Sequence, residues 1–424
     1  MRFGSIRLHY LLAYAILGAY MPYLPVFLGR DLGMPDRQIG WIAGMYGMAV
    51  ILSPPVVTYL ADRRFSGRTL IGLAYVLTGC ALLALAFASG FVAVLLISVA
   101  FSMVYTPMFA LLDGLTFSAS AAARQGGLPV PPYDRIRVWG SLGFMVPAFV
   151  LFFALRAGAA SGRAAIFAAA VAAGLGLLCV PFLPRIAPHG SPAGAPVPET
   201  SLTAALIPGA PVPADSSPEV LPDATAWAVL RRSPTRDLLI PLGLLFASIA
   251  VFYGFYARLV LEVGIDPSWV GLVMNLGVLS ELPFMFAAGP LLRRFSLRSL
   301  IIFGAACLAV RMLLLATVPD PRVTIASQLL HGPVVVAIYL IPPMYLNLKA
   351  PANARNSVQG LYAMICFGVA RLLGSVAGGY AAGLGLAWTF GLGAVLAAAA
   401  LLWLWLRFFD PAADLALRSP LSRP

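Results

Sequence analysis

The chain is 424 residues long, 61% hydrophobic and only 10% charged. Soluble globular chains carry about 25% charge, so water is excluded as the main solvent, and no sizeable soluble domain fits beside the apolar runs. The net charge of +12 does not point to nucleic acid, because most basic residues sit in the loops between those runs, where they orient a membrane protein.

A spanning helix needs about 20 mostly apolar residues, and twelve such runs are present. The first, 6–28, follows Arg2 and Arg7 and is too long for the core of a cleavable signal, so despite Pro22 and Pro25 it reads as a retained span. The next five fall at 38–61, 69–88, 91–117, 136–156 and 163–184. Composition then changes. Residues 186–232 are rich in Pro, Ala, Ser and Gly, cannot bury a core, and read as a disordered cytoplasmic linker. Six further runs lie at 237–261, 268–292, 299–318, 322–346, 356–382 and 385–408. The predicted organisation is an all-α membrane protein: an N-terminal six-helix bundle over 1–185, the linker 186–232, a C-terminal six-helix bundle over 233–410 and a cytoplasmic tail over 411–424.

Loop charge predicts orientation. The termini and the loops after the even-numbered runs hold 20 of the 28 Lys and Arg, and the opposite loops hold five: Arg30, Arg37, Arg156, Arg163 and Arg322. Basic loops stay cytoplasmic, which places both termini inside a bacterial-type cytoplasmic (inner) membrane. Cys80, Cys179, Cys307 and Cys366 lie in apolar stretches without metal-ligand spacing and read as packing residues. No cofactor is expected.

The halves repeat. Arg63-Arg64-Phe65-Ser66-Gly67-Arg68-Thr69 after the second run matches Arg293-Arg294-Phe295-Ser296-Leu297-Arg298-Ser299 after the eighth, at an offset of 230. Gly33 to Gly40 matches Gly264 to Gly271 at 231, and Arg137-Val138-Trp139-Gly140-Ser141 matches Arg371-Leu372-Leu373-Gly374-Ser375 at 234. Parallel six-span repeats suit a transporter that rocks around a solute held between the halves at mid-membrane.

Ionisable groups inside a span cost several kcal/mol and usually face a cavity, so they are the candidate functional residues. They are Asp113 in the fourth run, Arg137 at the start of the fifth, Arg258 in the seventh, Glu281 in the eighth, Arg311 in the ninth, His331 in the tenth and Arg371 in the eleventh. Glu281 reads either as a structural ion pair with Arg311 or Arg258, or as a carboxylate that loads and unloads a proton; losing an arginine partner in one conformation would serve both. Asp113 competes with a solvated helix-end carboxylate, His331 with a satisfied core histidine, and Arg258 lies close enough to a helix end to snorkel. Arg371 is about fifteen residues, or about 22 Å, into its helix. Two carboxylates against four arginines leave surplus positive charge, which an anionic solute would match. Tyr20, Tyr23, Trp139, Phe144, Tyr253 and Tyr256 are ring-stacking candidates, with core packing or interface belts as the alternative.

The topology, the repeat and the long central loop resemble the major facilitator superfamily. Its loop signature Gly-x-Leu-Ala-Asp-Arg stands here as Thr58-Tyr59-Leu60-Ala61-Asp62-Arg63, without the glycine. The resemblance implies a gate at the cytoplasmic mouth from Asp62, Arg63, Arg64 and the repeat-related Arg293 and Arg294. Asp134-Arg135-Ile136-Arg137-Val138-Trp139-Gly140-Ser141-Leu142-Gly143-Phe144 is similar to the fifth-helix run of the group that includes lactose permease, nucleoside symporters and 3-phenylpropionate transporters. That implies substrate binding by Arg137 and Phe144. Gly277-Val278-Leu279-Ser280-Glu281-Leu282, Val310-Arg311 and Leu330-His331 match the intramembrane Glu, Arg and His of lactose permease, which implies proton coupling by Glu281, Arg311 and His331. As an in-span carboxylate Asp113 joins the proton-coupling candidates, and Arg371, Trp139, Tyr253 and Tyr256 join the substrate-binding candidates as an in-span charge and ring-stacking aromatics. Val334 stands where the sugar permease carries its proton-bearing glutamate, and the Phe252-Tyr253-Gly254-Phe255-Tyr256 run looks more like the 3-phenylpropionate branch.

The expected activity is proton symport of a small organic solute by a monomer in the bilayer, the leading solute an aromatic or aliphatic carboxylate. A sugar or nucleoside is the alternative, and efflux the rival direction. A membrane-embedded enzyme or a non-transporting sensor are the rivals from other classes; with His9, His189 and His331 as the only histidines, clustered catalytic groups are not evident.

Overall fold

The structure, a computed structural model, describes residues 3–63, 66–158, 161–184, 225–351 and 354–418. Numbering only the long helices, they are α1 Phe3–Asp31, α2 Asp36–Arg63, α3 Gly67–Phe87, α4 Phe91–Gln125, α5 Tyr133–Arg156 and α6 Gly162–Phe182. The second set is α7 Thr235–Glu262, α8 Pro267–Arg294, α9 Leu297–Thr317, α10 Pro321–Lys349, α11 Ser357–Ala382 and α12 Leu386–Arg407. Eleven of them are long and apolar enough to cross a bilayer; the twelfth, α2, is a continuous helix partly outside the described side chains. The chain is an all-helical membrane protein, with no strand among the described residues.

Two compact units form. Among the described residues, one holds those up to 184 with 256–275, and the other those of 225–255 with 276–418. The end of α7 and the start of α8 thus pack within the first unit. There Arg258 pairs with Asp36, the Gly271 N–H donates to the Tyr23 hydroxyl at 3.1 Å, and Asn275 donates to the Met145 carbonyl at 3.0 Å. Arg258 therefore has a carboxylate partner from another helix, where snorkelling was the sequence expectation. The expected linker, 186–232, lies outside the described residues up to 224. Its last part is ordered as a short helix, Ala226–Arg231, whose cap Thr225 accepts from the Ala228 N–H at 3.3 Å. The tail is helical over Pro411–Arg418, and 419–424 lie outside the described residues.

Two of the three repeats seen in the sequence have a local physical cause. Ser66 caps α3 by accepting from the Thr69 N–H at 3.2 Å, and Ser296 caps α9 by accepting from the Ser299 N–H at 3.0 Å. A serine cap satisfies one of the free donors of a helix start. Gly33 and Gly264 both take positive φ, +62° and +86°, in the turns before α2 and α8, a conformation that favours glycine.

Small residues let helices approach. A Cβ on Gly143 of α5 would lie 2.1 Å from the Leu11 carbonyl oxygen of α1, and one on Gly374 of α11 would lie 2.3 Å from the Ala247 carbonyl oxygen of α7. Membrane helices without a hydrophobic drive between them use such contacts. Gly143→Ala is expected to force α1 from α5, costing about 1–3 kcal/mol or more. Gly243→Ala, whose Cβ meets nothing within 4 Å, is the control. A thermal-unfolding midpoint that falls equally in both would refute this account.

Candidate functional site

Among the described residues, each unit carries a cluster of ionisable side chains that joins several of its long helices. In the second unit the cluster centres on His331 of α10. The helix is irregular there: a 3-10 turn, Ser327–Leu330, precedes the histidine, and a π segment, Val336–Leu340, follows it. A second π segment, Met364–Ala370, leads directly into Arg371. Such departures re-aim side chains and concentrate at functional sites.

His331 Nε2 lies 3.1 Å from Glu281 Oε1 of α8 and 3.2 Å from the Tyr253 hydroxyl of α7. Its Nδ1 lies 2.9 Å from Arg311 Nη1 of α9, and Arg311 Nη2 donates to Gln328 Oε1 at 2.5 Å. Arginine only donates, so Nδ1 must accept. That fixes His331 as the neutral tautomer with its proton on Nε2, aimed at the Glu281 carboxylate. The Arg311 guanidinium also lies 3.8 Å from the centre of the Phe252 ring, within cation–π range. Arg371 lies 6.0 Å from the Tyr253 ring centre. Ser280, one residue before Glu281, accepts from the Gly332 N–H at 3.0 Å, which ties α8 to α10, and its one hydroxyl proton lies between the Gly277 carbonyl at 2.7 Å and the Gln328 carbonyl at 3.1 Å. A Cβ on Gly332 would lie 2.3 Å from the Ser280 carbonyl oxygen, so glycine is needed for that approach.

The sequence reading favoured Arg311 or Arg258 as the partner of Glu281. The structure gives it His331, with Arg311 on the far side of the same ring. Arg311 is 1% exposed and, among the described residues, the largest fully buried side chain. A charge at that depth must be held by partners. Its partners include the His331 ring nitrogen, the Gln328 amide oxygen and the Phe252 face.

In the first unit the cluster joins α1, α4 and α5. Asp113 Oδ1 accepts from Tyr10 and from Tyr133, the latter at 2.5 Å. Thr116 donates to the Tyr10 hydroxyl at 3.4 Å. Arg137 donates to the Tyr14 hydroxyl and lies 4.3 Å from the Tyr14 ring centre and 5.7 Å from that of Tyr10. Tyr10 thus links the carboxylate to the guanidinium. Helix α4 runs to Gln125, twelve residues past Asp113, or about 18 Å at the helical rise. The carboxylate is therefore well inside the helix, contrary to the expectation of a span ending at 117. The Ser- and Ala-rich stretch after 117 is helical without being apolar, which is why hydropathy stopped short.

Other expected site residues lie elsewhere. Trp139 is exposed, Phe144 is half-buried with its carbonyl against Gly18, and Tyr256 is buried in the first unit, whereas Tyr253 belongs to the second. Arg293 and Arg294 are exposed at the end of α8. Asp62, Arg63 and Arg64 lie outside the described residues as far as their side chains are concerned. Tyr10, Tyr14, Tyr133 and Gln328 were missed. Tyr10 and Tyr14 are spaced i, i+4 on one face of α1, and Gln328 is a polar residue one turn before His331 in an apolar run. Both patterns were visible. Among the described residues no group of His, Cys, Asp and Glu could hold a metal ion.

Twelve long helices in repeat-related sets, with charged groups held inside them by bonds between helices, define a multi-pass membrane transporter. The chain belongs to the MFS_1 like family, whose model matches residues 3–392. It is 28% identical over 391 residues to the putative nucleoside transporter YegT of Escherichia coli K12, covering 86% of this chain and 80% of that protein. It is 25% identical over 376 residues to the probable 3-phenylpropionic acid transporter of the same strain, covering 86% of each. The crystal structure of the nucleoside transporter NupG superposes with a TM-score of 0.78 at 16% identity, over 98% of this chain and 99% of that one, which establishes the fold. The protein is a secondary transporter of the major facilitator type and not an enzyme.

Proposed function

We propose that the protein is a proton-coupled symporter of a neutral, hydroxyl-rich ring solute of the nucleoside or sugar kind. It works as a monomer in a bacterial inner membrane, with both termini cytoplasmic and the arginine turns after α2 and α8 gating the cytoplasmic mouth. The observation that carries the coupling is the Glu281–His331–Arg311 chain, with bonds of 3.1 and 2.9 Å. Glu281 is the member that can change charge without breaking the arginine's bonds. As a carboxylate it accepts the Nε2 proton of His331. Protonated, it no longer compensates Arg311, and that difference biases one conformation over another, which is what coupling requires.

The solute class rests on the first-unit cluster and on relatives. Both tyrosines bond to Oδ1 of Asp113, so Oδ2 remains the acceptor for a solute hydroxyl. Arg137 adds a donor for a solute oxygen. The sequence reading preferred an anionic solute because positive charge was in surplus. Arg258 drops out of that sum through its pair with Asp36, and a relative and a structural neighbour are named for nucleosides. A carboxylate remains the second reading, favoured by the phenylpropionic acid relative.

The test is uptake of radiolabelled uridine, maltose and 3-phenylpropionate into proteoliposomes with an imposed pH step. Uridine or maltose should accumulate and be released by a protonophore. Accumulation of 3-phenylpropionate alone would shift the proposal to the second reading. Uptake indifferent to the pH step would remove the coupling, and solute moving against an inward proton flow would make the protein an exporter.

A further inference from the structure

One corner of the second unit has a composition that neither cluster uses. The turn Arg293–Arg298 between α8 and α9 meets the end of α12. Arg298 donates to the Trp405 carbonyl and lies 5.9 Å from the Phe409 ring centre, and Arg294 lies 5.8 Å from that of Phe295. The rings are not buried: Trp405 is 65% exposed and Phe409 67%. Arg407, two residues past Trp405, is exposed; Arg298 is half-buried, its Nε shielded from solvent and without a hydrogen-bond partner among the described residues.

The acids of the same corner are turned inward and engaged. Asp410, 7% exposed, accepts from Lys349 at 2.6 Å and from Tyr345 at 2.9 Å. Asp414 accepts from the Leu297 N–H at 2.6 Å, docking the tail helix on the start of α9. The exposed charge left at the corner is therefore purely arginine, framed by aromatic rings at the end of a spanning helix. Tryptophan and other aromatic side chains prefer the headgroup level of a bilayer, and a guanidinium suits a phosphate. A soluble anion would match the arginines but leave the rings in water, whereas a lipid matches both.

We propose that this corner binds the headgroup of an anionic phospholipid, its phosphate held by Arg298 and Arg407 and its glycerol region seated on Trp405 and Phe409. The positive-inside bias explains arginines in the turn, but not the exposed rings or the engagement of every described acid beside them.

The experiment uses the full chain in detergent, with phosphatidylglycerol titrated in mixed micelles against phosphatidylcholine and bound lipid counted by native mass spectrometry. Each arginine near an anionic surface contributes on the order of 1 kcal/mol, so Arg298→Gln with Arg407→Gln is expected to bind phosphatidylglycerol about 30-fold more weakly. A control with the same charge loss elsewhere, Arg124→Gln with Arg135→Gln, should bind as the unaltered chain does. Should the corner variant fail to fold, Arg298→Lys with Arg407→Lys keeps the charge and should retain most of the binding. Equal losses in the corner and control variants would overturn the proposal, as would preference for phosphatidylcholine or displacement of phosphatidylglycerol by millimolar inorganic phosphate.

Discussion

Glu281→Gln is expected to abolish accumulation of solute by a proton gradient while leaving solute exchange intact. The amide keeps the shape of the carboxyl group, and its oxygen still accepts the His331 Nε2 proton across the 3.1 Å contact. It cannot take up a proton in any conformation. The variant should therefore equilibrate labelled solute across the membrane, and do so equally with and without a pH step. Counterflow and pH-driven uptake measured on the same vesicles separate the two activities. Accumulation that persists in Glu281→Gln removes this residue from coupling and leaves it a structural ion pair. Arg311→Lys makes a companion test. A lysine is a single charged point and cannot bond His331 Nδ1 and Gln328 Oε1 as a planar fork does. Exchange measured by counterflow in Arg311→Lys should therefore slow, because His331 and Gln328 lose the fork that holds them beside Glu281.

The helices were legible because a bilayer leaves little choice: a long apolar run must be a helix that satisfies its own backbone. The repeat was legible at the turns, where Gly33 and Gly264 need positive φ and Ser66 and Ser296 cap helices. The candidate residues stood out by the cost of a charge in lipid. What sequence could not reveal was pairing across helices. Nothing within α10 shows that the carboxylate for His331 comes from α8, or that Asp36 answers Arg258. Those contacts depend on rotation and tilt, which packing sets. Tyrosines were undervalued for a related reason. A tyrosine in an apolar run is ordinarily a packing residue, and only the fold shows Tyr10 and Tyr133 converging on one oxygen. The span of α4 was underestimated because alanine, which dominates the stretch after 117, forms helix at least as readily as leucine but carries less hydropathy signal.

The first-unit cluster allows a sharper test of binding against structure. Asp113→Asn removes the negative charge but keeps an oxygen for Tyr10 and Tyr133. A hydrogen bond from solute to a charged acceptor contributes about 1.5–3 kcal/mol, so solute affinity is expected to fall about 10- to 100-fold. Stability should also fall, because Arg137 then lies in the span without its compensating charge. The double variant Asp113→Asn with Arg137→Gln separates the two effects. It removes both charges, so the thermal midpoint should recover toward that of the unaltered chain. Solute affinity should not recover, because a ligand that needed either group finds neither. A purely structural pair behaves otherwise: once the midpoint returns, binding and transport return with it. Isothermal titration with the transported solute and a thermal melt, run on the two single variants and the double, complete the cycle. Recovery of affinity together with stability would place Asp113 and Arg137 among the residues that hold α1, α4 and α5 in register, and solute recognition would have to be sought on other side chains.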